Sequence, residues 1–239
     1  MATIVQVAPM VTRSGGSATS ATLAVTFGGA VSALNDVGMI LAFGSTAGTP
    51  SLTSVIDDKG NNYTVVKTAV LDAFTGSYIA NVALNLPPSS PTILTITVGC
   101  TVAANIGIAG AAIEVSSGGV IDNNIQNAGA TAQPWAASIS TVANNEACII
   151  GGLCSTSTTT WSAVTSGFTQ SGSTDAFTGL SIFTGVWTSL GANTFNATAS
   201  AGSTHNAWNA LSFQAAAGPA PFTPFTRTNW FVNDTVIQS

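Results

Sequence analysis

Over most of its length the sequence alternates between short runs rich in β-branched residues and clusters of Gly, Asn, Asp, Ser or Pro. Within the runs, apolar residues recur with a period of two, which places them on one face of an extended strand. No segment combines the period of about 3.6 residues with the capping residues that a helix of three turns would show. The pattern therefore predicts an all-β protein of short strands joined by turns.

Thirteen candidate strands follow from this pattern. Strands of this number and length, with no linker in the middle of the chain, favour a single antiparallel β-sandwich of two sheets over residues 1–215, similar in size to a jelly roll. Two tandem domains of about 100 residues, each built like an immunoglobulin domain, are the alternative. The candidate strands cover residues 3–8, 21–27, 38–43, 52–57, 62–70, 77–86, 92–99, 107–116, 137–142, 146–155, 179–189, 194–200 and 207–215.

Residues 216–239 differ in composition from the predicted strands. Prolines at positions 219, 221 and 224 fix the backbone and remove hydrogen-bond donors, so this segment is predicted to form an extended arm outside the sheets. Its aromatic side chains need a surface to pack on, either on a neighbouring subunit, which is our working hypothesis, or on the chain's own sandwich. The candidate interface residues are Phe222, Phe225, Trp230 and Phe231.

Charged residues make up 5 % of the chain, against about 25 % in an average soluble protein. Four cations and nine acids give a formal net charge of -5. Phosphate recognition requires a cluster of Lys or Arg, so nucleic acid is not an expected partner. A surface with so little charge has little self-repulsion, which favours a homo-oligomer or a component of a larger assembly.

The mean hydropathy of +0.44 suggests a membrane protein at first sight. Residues 73–113 contain no charge, yet prolines and polar residues interrupt them, and no run of about 20 apolar residues suits a spanning helix. The amino-terminal sequence "MATIVQVAPMVTRSGG" lacks the basic and apolar regions of a secretory signal peptide. We therefore expect no membrane insertion, and synthesis in a cytoplasm.

A polar stretch, "SVIDDKGNNYTVV" at residues 54–66, separates two apolar runs. Gly60 and Asn61 tolerate a positive φ, so the stretch is predicted to be a hairpin turn between two antiparallel strands. A calcium-binding loop is the alternative, but it would need acidic ligands at alternating positions and a further acid downstream. The next acid after Asp58 is Asp72, a spacing that does not match. The interpretation as a turn is preferred, and no metal is expected.

No combination of residues predicts catalysis. His205 is the only histidine, and the chain has no G-x-S-x-G sequence around a nucleophile. Glu114 is the one acid embedded in a predicted strand, where a hydrogen-bonded structural role is preferred to a catalytic one. The cysteines lack metal-binding spacing and are expected to be free thiols: Cys100, Cys148 and Cys154. The chain is therefore expected not to be an enzyme and to bind no cofactor.

The tryptophans all fall in the second half of the chain. Tryptophan adds a large buried area at a small cost in entropy, so a place in the core or in a subunit interface is the preferred interpretation. The alternative is a set of exposed platforms that stack on the sugar rings of a host surface glycan. The candidate platforms are Trp135, Trp161, Trp187 and Trp208.

A series of turn and strand segments follows in order within residues 35–215. The segments are "VGMILAFGST", "VIDDKGNNYTVV", "SYIANVALNL", "TILTITVG", "AAIEVSSGG", "TVANNEACIIGG" and "WNALSFQAA". The turn D-x-x-G-N-x-Y at residues 57–63 and the strand entry N-E-A-C-I-I-G at residues 145–151 are the most distinctive. In this order of segments the chain resembles β-sandwich proteins that tailed bacteriophages encode and that occur among bacterial surface and adhesin-like proteins.

This resemblance implies a β-sandwich protein without enzymatic activity, located in the virion. Such a protein would serve as a capsid decoration, head-fibre or tail-associated component, with other virion proteins as its partners. A carbohydrate-binding or adhesive module for host recognition is the alternative function. Because the shared segments are turns and strand faces, they indicate the fold more directly than the activity.

Overall fold

The computed structural model describes residues 2–33, 35–72, 77–84, 87–116, 120–128, 135–141, 145–153, 161–172, 179–199 and 207–214. Across these residues the chain forms 15 β-strands and no helix, and the strand pairs are antiparallel. The prediction of an all-β, sandwich-like protein is confirmed. Among the same residues, no helix has the length and apolar character needed to cross a membrane.

The strands divide between the two halves of the chain. Those of the first half are β1 (Ile4–Arg13), β2 (Ser17–Thr26), β3 (Asp36–Ser45), β4 (Pro50–Asp57), β5 (Thr64–Asp72), β6 (Ser77–Leu84) and β7 (Ile93–Val115). Those of the second half are β8 (Val120–Ala128), β9 (Trp135–Thr141), β10 (Glu146–Leu153), β11 (Trp161–Ser162), β12 (Phe168–Gly172), β13 (Leu180–Trp187), β14 (Gly191–Ala199) and β15 (Ala207–Gln214).

Strand β7 is 23 residues long and belongs to two layers. Its first part pairs with β2 on one side and with β4 on the other. Its second part pairs with β1 and β3. The predicted strands at 92–99 and 107–116 are therefore two parts of one strand, because the residues between them stay extended although residues 101–103 are exposed.

The pairing scheme of the first half recurs in the second half. In the first unit, β1 to β7, the large sheet has the order β1-β7-β3-β6-β5, and β2 and β4 flank β7 to form a small sheet. In the second unit, β8 to β15, the large sheet has the order β8-β15-β10-β13-β12, and the small sheet has the order β9-β14-β11. Strands β14 and β15 thus correspond to the two parts of β7. The chain contains two sandwich units of one topology, the arrangement that the tandem alternative describes.

Three hydrophobic cores lie between the four sheets. The first core fills the first unit, the middle core joins the two large sheets, and the third core fills the second unit. Stacked sheets lie about 10 Å apart, so the four sheets make a compact stack. Representative residues are Leu41, Val55 and Ile96 in the first core, Ile40, Ile149 and Leu211 in the middle core, and Ile150, Phe195 and Trp208 in the third core.

The central strands of the large sheets, β3 and β10, are buried on both faces. On β3, Met39 and Leu41 face the first core, whereas Ile40 and Ala42 face the middle core. On β10 the same alternation divides the residues between the third and the middle core. A strand covered on both faces needs apolar residues at successive positions, which is why both strands are continuous apolar runs in the sequence.

Glycine residues allow the two large sheets to approach closely. A Cβ atom built on Gly38 would lie 2.5 Å from Phe213 Cζ, and one built on Gly151 would lie 2.5 Å from Ile40 Cγ2. Real Cβ atoms do not come so near to another carbon, because the van der Waals contact distance is about 3.5–4.0 Å. Each glycine therefore accommodates a large side chain of the opposite sheet.

Two buried asparagines interrupt the middle core. Asn81 on β6 and Asn209 on β15 have no exposed surface. The Nδ2 of Asn81 donates to Ala210 O at 2.9 Å, a hydrogen bond that joins the first large sheet to the second. A polar group in an apolar interface is costly unless it is paired. This bond therefore favours one relative position of the two units.

Candidate functional site

The turn at residues 57–62 is held by the carboxylate of Asp57. Its Oδ1 accepts hydrogen bonds from the backbone N–H groups of Lys59 and Asn61, both at 2.9 Å. Its Oδ2 accepts one from Asn61 Nδ2 at 2.8 Å and one from the Tyr63 hydroxyl at 3.4 Å. Gly60 has a φ of 85°, in the region that favours glycine. The prediction of a turn is confirmed.

Asp58 fastens the same turn to the start of β7. Its Oδ1 accepts from the backbone N–H groups of Thr92 at 2.8 Å and Ile93 at 3.3 Å, and its Oδ2 pairs with Lys59 Nζ at 3.0 Å. The N–H of Thr92 holds the pKa of the Asp58 carboxyl well below its usual range. Both carboxylates thus face hydrogen-bond donors. In the described part of the chain, no group of three or more His, Cys, Asp or Glu is placed to hold a metal ion.

The turn closes a short hairpin, in which Tyr63 N donates to Val55 O at 2.9 Å. The strands separate beyond it, so the predicted pairing of the two neighbouring strands is wrong. β4 pairs with β7 in the first small sheet, whereas β5 pairs with β6 in the first large sheet. Between the two sides of the turn the structure has an isolated bridge, Ile56 to Asn62. Tyr63 is buried in the first core directly after the turn, which directs β5 into the opposite sheet.

Glu114 on β7 has a structural role, as predicted. It is 2 % exposed, and its Oε1 accepts from Ser32 N at 2.8 Å and from Asn35 Nδ2 at 2.6 Å. Its Oε2 accepts from the Nε2 of Gln6. The carboxylate therefore connects β1, β7 and the segment before β3. These bonds occupy the oxygens that a catalytic carboxylate would need for a substrate.

Both described cysteines are free thiols, as predicted. Cys148 is buried in the third core, where burial raises the pKa of its thiol. Cys100 is partly buried. Other candidates lie outside the described residues: Cys154, His205, and the predicted interface residues Phe222, Phe225, Trp230 and Phe231.

Two of the four candidate sugar platforms are core residues. Trp208 is 1 % exposed and Trp187 is 7 % exposed, and both belong to the third core. A buried indole face cannot stack on a sugar, so the alternative role of these two residues as platforms is wrong and the preferred interpretation holds. The side chain of Trp135 lies outside the described part of the structure.

Trp161 is only partly buried and lies between the second small sheet and the second large sheet. Its Nε1 donates to the Oγ of Ser181 on β13 at 2.9 Å. Its ring packs edge-on against Phe183, with ring centroids 5.4 Å apart. The side chain of the two-residue strand β11 therefore covers the neighbouring β13.

An open cleft lies at the side of the first unit, between β4 and the strands β5 and β6. The first large sheet continues beyond β3 into β6 and β5, whereas the first small sheet ends at β4. The inner faces of β6 and β5 are therefore partly uncovered. The cleft has a volume of about 370 Å³ and is lined by Phe43, Pro50, Ser51, Leu52, Val65, Ala69, Tyr78 and Ala80.

The floor of the cleft is aromatic. The rings of Phe43 and Tyr78 are stacked, with centroids 5.4 Å apart and an angle of 11° between their planes. The lining contains no charged side chain, and its polar groups are the hydroxyls of Ser51 and Tyr78. An apolar cleft with few polar groups suits an apolar or aromatic group.

Strand β4 forms the rim of the cleft and has an unpaired edge. One of its edges pairs with β7. Along the other edge, residues 50–54 have no paired strand among the described residues, and the bridge to Asn62 begins at Ile56. An unpaired edge beside an apolar cleft is the geometry in which an extended segment adds as a further strand.

The cleft was not predicted from the sequence because its lining comes from four strands that are separated along the chain. One signal was present in β5, "TVVKTAVLD", which has apolar residues on both faces. Val65 is 44 % exposed and Leu71 is 45 % exposed. An edge strand with exposed apolar side chains indicates a surface that another element covers.

Comparison with protein-family models, with curated proteins and with solved structures finds no match. The function therefore has to be inferred from the residues and the geometry of the chain itself.

Proposed function

We propose that the chain is a non-catalytic structural protein of a large assembly, and that this assembly is a bacteriophage virion. The sequence resemblance implies the virion, as a capsid decoration, head-fibre or tail-associated component. The observation that supports a role in assembly is that both edge strands of the first large sheet expose apolar side chains. On the first large sheet, edge strand β1 exposes Val5 to 53 %, and the opposite edge strand β5 exposes Val65 and Leu71 to 44 % and 45 %.

Exposed apolar side chains on an edge strand favour pairing with another chain, and proteins that stay monomeric usually protect such edges with charges. Here the charges near these edges are few. Arg13 at the end of β1 donates from its Nη1 to Thr22 O at 2.7 Å, so it is bound to the neighbouring strand. Lys67 is the one cation on β5. Weak self-repulsion and apolar edges together support association.

The roles of three of the described carboxylates support a structural function. Asp57 and Asp58 hold a turn, and Glu114 connects three segments. Each is used as an acceptor inside the fold. The middle core adds a rigid connection between the units, because buried contacts there involve both large sheets.

Quantitative mass spectrometry of virus particles purified from the infected host tests this proposal. The expected result is that the chain is present in purified particles in many copies and stays with them through a density gradient. A chain that is found only in the soluble fraction of the lysate, and not in particles, would contradict the proposal. Particles carrying Val65→Lys and Leu71→Lys are expected to contain fewer copies, whereas Leu190→Lys, at a turn position that is 62 % exposed, is the matched control.

A further inference from the structure

We propose that the cleft of the first unit receives the C-terminal arm, residues 216–239, of a second copy of the chain, so that two copies exchange arms across the β5 side. This inference rests on the proposed function as an assembly component and adds the contact through which copies join. The cleft opens on the first-core face of β5 and β6, and the end of β15, from which the arm continues, packs over the opposite face of the same two strands.

The cleft matches the arm in chemistry. Its floor is the Phe43–Tyr78 stack, and its remaining lining is mostly aliphatic. Aromatic rings gain from contact with other rings in offset or edge-on arrangements. The volume of about 370 Å³ lies in the range of about 300–1,000 Å³ typical of sites that enclose a small ligand. The arm carries four aromatic residues and only two charges, Arg227 and Asp234.

The rim of the cleft matches the arm in backbone geometry. A strand added to the free edge of β4 would lie about 4.8 Å from it. At that position it would cover Tyr78, which lines the cleft on β6 and is partly exposed. Residues 230–237 of the arm, "WFVNDTVI", follow the prolines and contain residues typical of strands. The backbone of this segment supplies hydrogen bonds to β4, and its aromatic residues supply the apolar contact.

The arm begins at the β5 and β6 end of the first large sheet, over the face opposite to the cleft. β15 ends at Gln214, which pairs with Val120 of β8. Across the middle core, β8 packs against β5, and β15 packs against β6. The chain therefore leaves the second unit above β6 and β5, the two strands whose opposite faces form the cleft.

The arm is long enough to reach a neighbour on this side. Residues 215–230 number 16 and span up to about 50 Å at about 3.1 Å per residue in an extended proline-rich conformation. The distance to be covered comprises the separation between sheets, about 10 Å, and part of the length of β5, about 30 Å for its whole length. Trp230 and the residues after it can therefore enter a cleft on a copy that faces the β5 edge.

A second copy covers more of the apolar surface than the chain's own arm would. An arm folded back into its own cleft would cover Val65, which lines the cleft, but Leu71 lies on β5 outside that lining. A copy placed against the β5 edge covers both residues. Two copies related by a twofold axis present the same edge to each other, so each cleft lies next to the partner's arm.

The first test measures the association of full-length variants by analytical ultracentrifugation. In the arm variant, Phe222, Phe225, Trp230 and Phe231 are all replaced by Ser. Two cleft variants are used. Ser51→Trp fills the cleft from an exposed position, and Ala69→Glu places a charge in it. The matched control is Leu190→Trp, at a position of the second unit that is 62 % exposed and does not line the cleft.

The expected result is a wild-type dimer and a Leu190→Trp dimer of similar affinity. The arm variant and both cleft variants are expected to raise the dissociation constant by about 100-fold or more, which corresponds to about 2.8 kcal/mol at about 1.4 kcal/mol per tenfold change. Circular dichroism and thermal melts establish that each variant is folded. A wild-type chain that stays monomeric at about 100 μM, where a dimer of even weak affinity forms, or cleft variants that all associate like wild type, would overturn the proposal.

The second test distinguishes the partner's arm from the chain's own. The arm variant keeps an open cleft, and the cleft variant keeps an intact arm, so a mixture contains one complete arm-and-cleft contact per pair. Exchange between copies predicts that mixing two separately monomeric variants produces a heterodimer, detected by native mass spectrometry. If mixing produces none, the arm occupies its own cleft and the proposal fails. The measurement in purified particles is independent of this result, so the proposed function can survive that failure.

Discussion

The two units have the same topology but differ at one corresponding place, the space beside the last strand of the small sheet. In the first unit this space, between β4 and β6, is the open cleft. In the second unit the corresponding strands are β11 and β13, and Trp161 occupies the space between them, bonded to Ser181 and packed on Phe183. In the second unit a side chain thus fills the place that is open in the first, and the topology alone does not produce a binding site.

The cores of the two units also differ in the kind of side chain that fills them. The first core is mainly aliphatic, whereas the third core is built around aromatic rings that contact one another. Ring centroids in the third core lie 4.6 to 6.4 Å apart. Large rings fill a core with few residues, because each buries a large area. The second unit therefore needs less strand to cover its core. Its strand β11 has two residues, whereas the equivalent strand β4 of the first unit has eight.

The variant with the largest expected effect on stability tests whether the two units unfold separately. Trp208→Ala removes the side chain at the centre of the third core, where it contacts Phe195 and Phe183. We expect the free energy of unfolding to fall by about 3–5 kcal/mol, the usual cost of replacing a buried Trp or Phe by Ala. Because the middle core joins the units, guanidinium denaturation is expected to show one transition at a lower midpoint. Two separated transitions, of which only one is shifted, would show that the units are independent.

Removing the side chain of Trp161 tests whether this residue closes the place in the second unit that corresponds to the cleft. Trp161→Ala is expected to reduce the free energy of unfolding by about 1–3 kcal/mol, less than Trp208→Ala because Trp161 is only partly buried. It should also create an apolar cleft between β11 and β13, detected as increased fluorescence of an apolar dye in the native protein. A variant with unchanged dye binding would mean that other side chains close this space. Leu190→Ala, at an exposed position, controls for general effects.

A substitution in the middle core is expected to change the free energy of unfolding by a smaller amount and in the opposite direction, towards higher stability. The Nδ2 and Oδ1 atoms of Asn209 have no hydrogen-bond partner within the described residues. Asn209→Leu replaces them with a side chain of similar size, and we expect the free energy of unfolding to rise by about 1 kcal/mol, because an unpaired buried amide is costly. Asn81→Leu is the matched variant, and it should stabilise less or destabilise, since it loses the bond to Ala210 O. Denaturation midpoints that rank the two variants in reverse order would contradict this assignment.

The smallest effect concerns the turn of the first unit and its dependence on pH. The lowered pKa of Asp58 means that the folded state favours its ionised form. The stabilisation is therefore present above the ordinary pKa of 3.8 and is lost as the pH falls below it. Asp58→Asn should lower the melting temperature slightly at pH 7, and the difference from wild type should shrink at pH 3. A difference that stays constant between these pH values would argue against a role for the charge.

Strands with a regular pattern were predictable from the sequence, because one buried face leaves a period of two. The segment "ATLAVTF" gave β2 in this way, with Ala21, Leu23 and Val25 buried and the residues between them exposed. Three strands do not have this pattern. β8 contains Asp and Asn residues typical of turns, β11 has only two residues, and β12 reads "FTQSG". Their extended conformation depends on pairing with neighbours, which a local pattern does not reveal.

Turns were predictable as turns, but the sheets that they connect were not. The residues Asp57 to Asn62 identify a tight turn through Gly60 and the two asparagines, yet β4 and β5 belong to different sheets. Pairing partners are decided by the packing of the whole unit. For the same reason the cleft was not predictable, since it requires the relative position of β4 and β6, and neither strand alone encodes it.

Strand β7 also has a mechanical consequence. Its 23 residues make hydrogen-bonded ladders with four other strands, two along each part. A tensile force applied along this strand acts in shear on the ladders, so that many hydrogen bonds carry it at the same time. Peeling would instead break them one after another. A force applied at one end of β7 is therefore shared between both layers of the first unit, because the same strand is hydrogen-bonded in each layer.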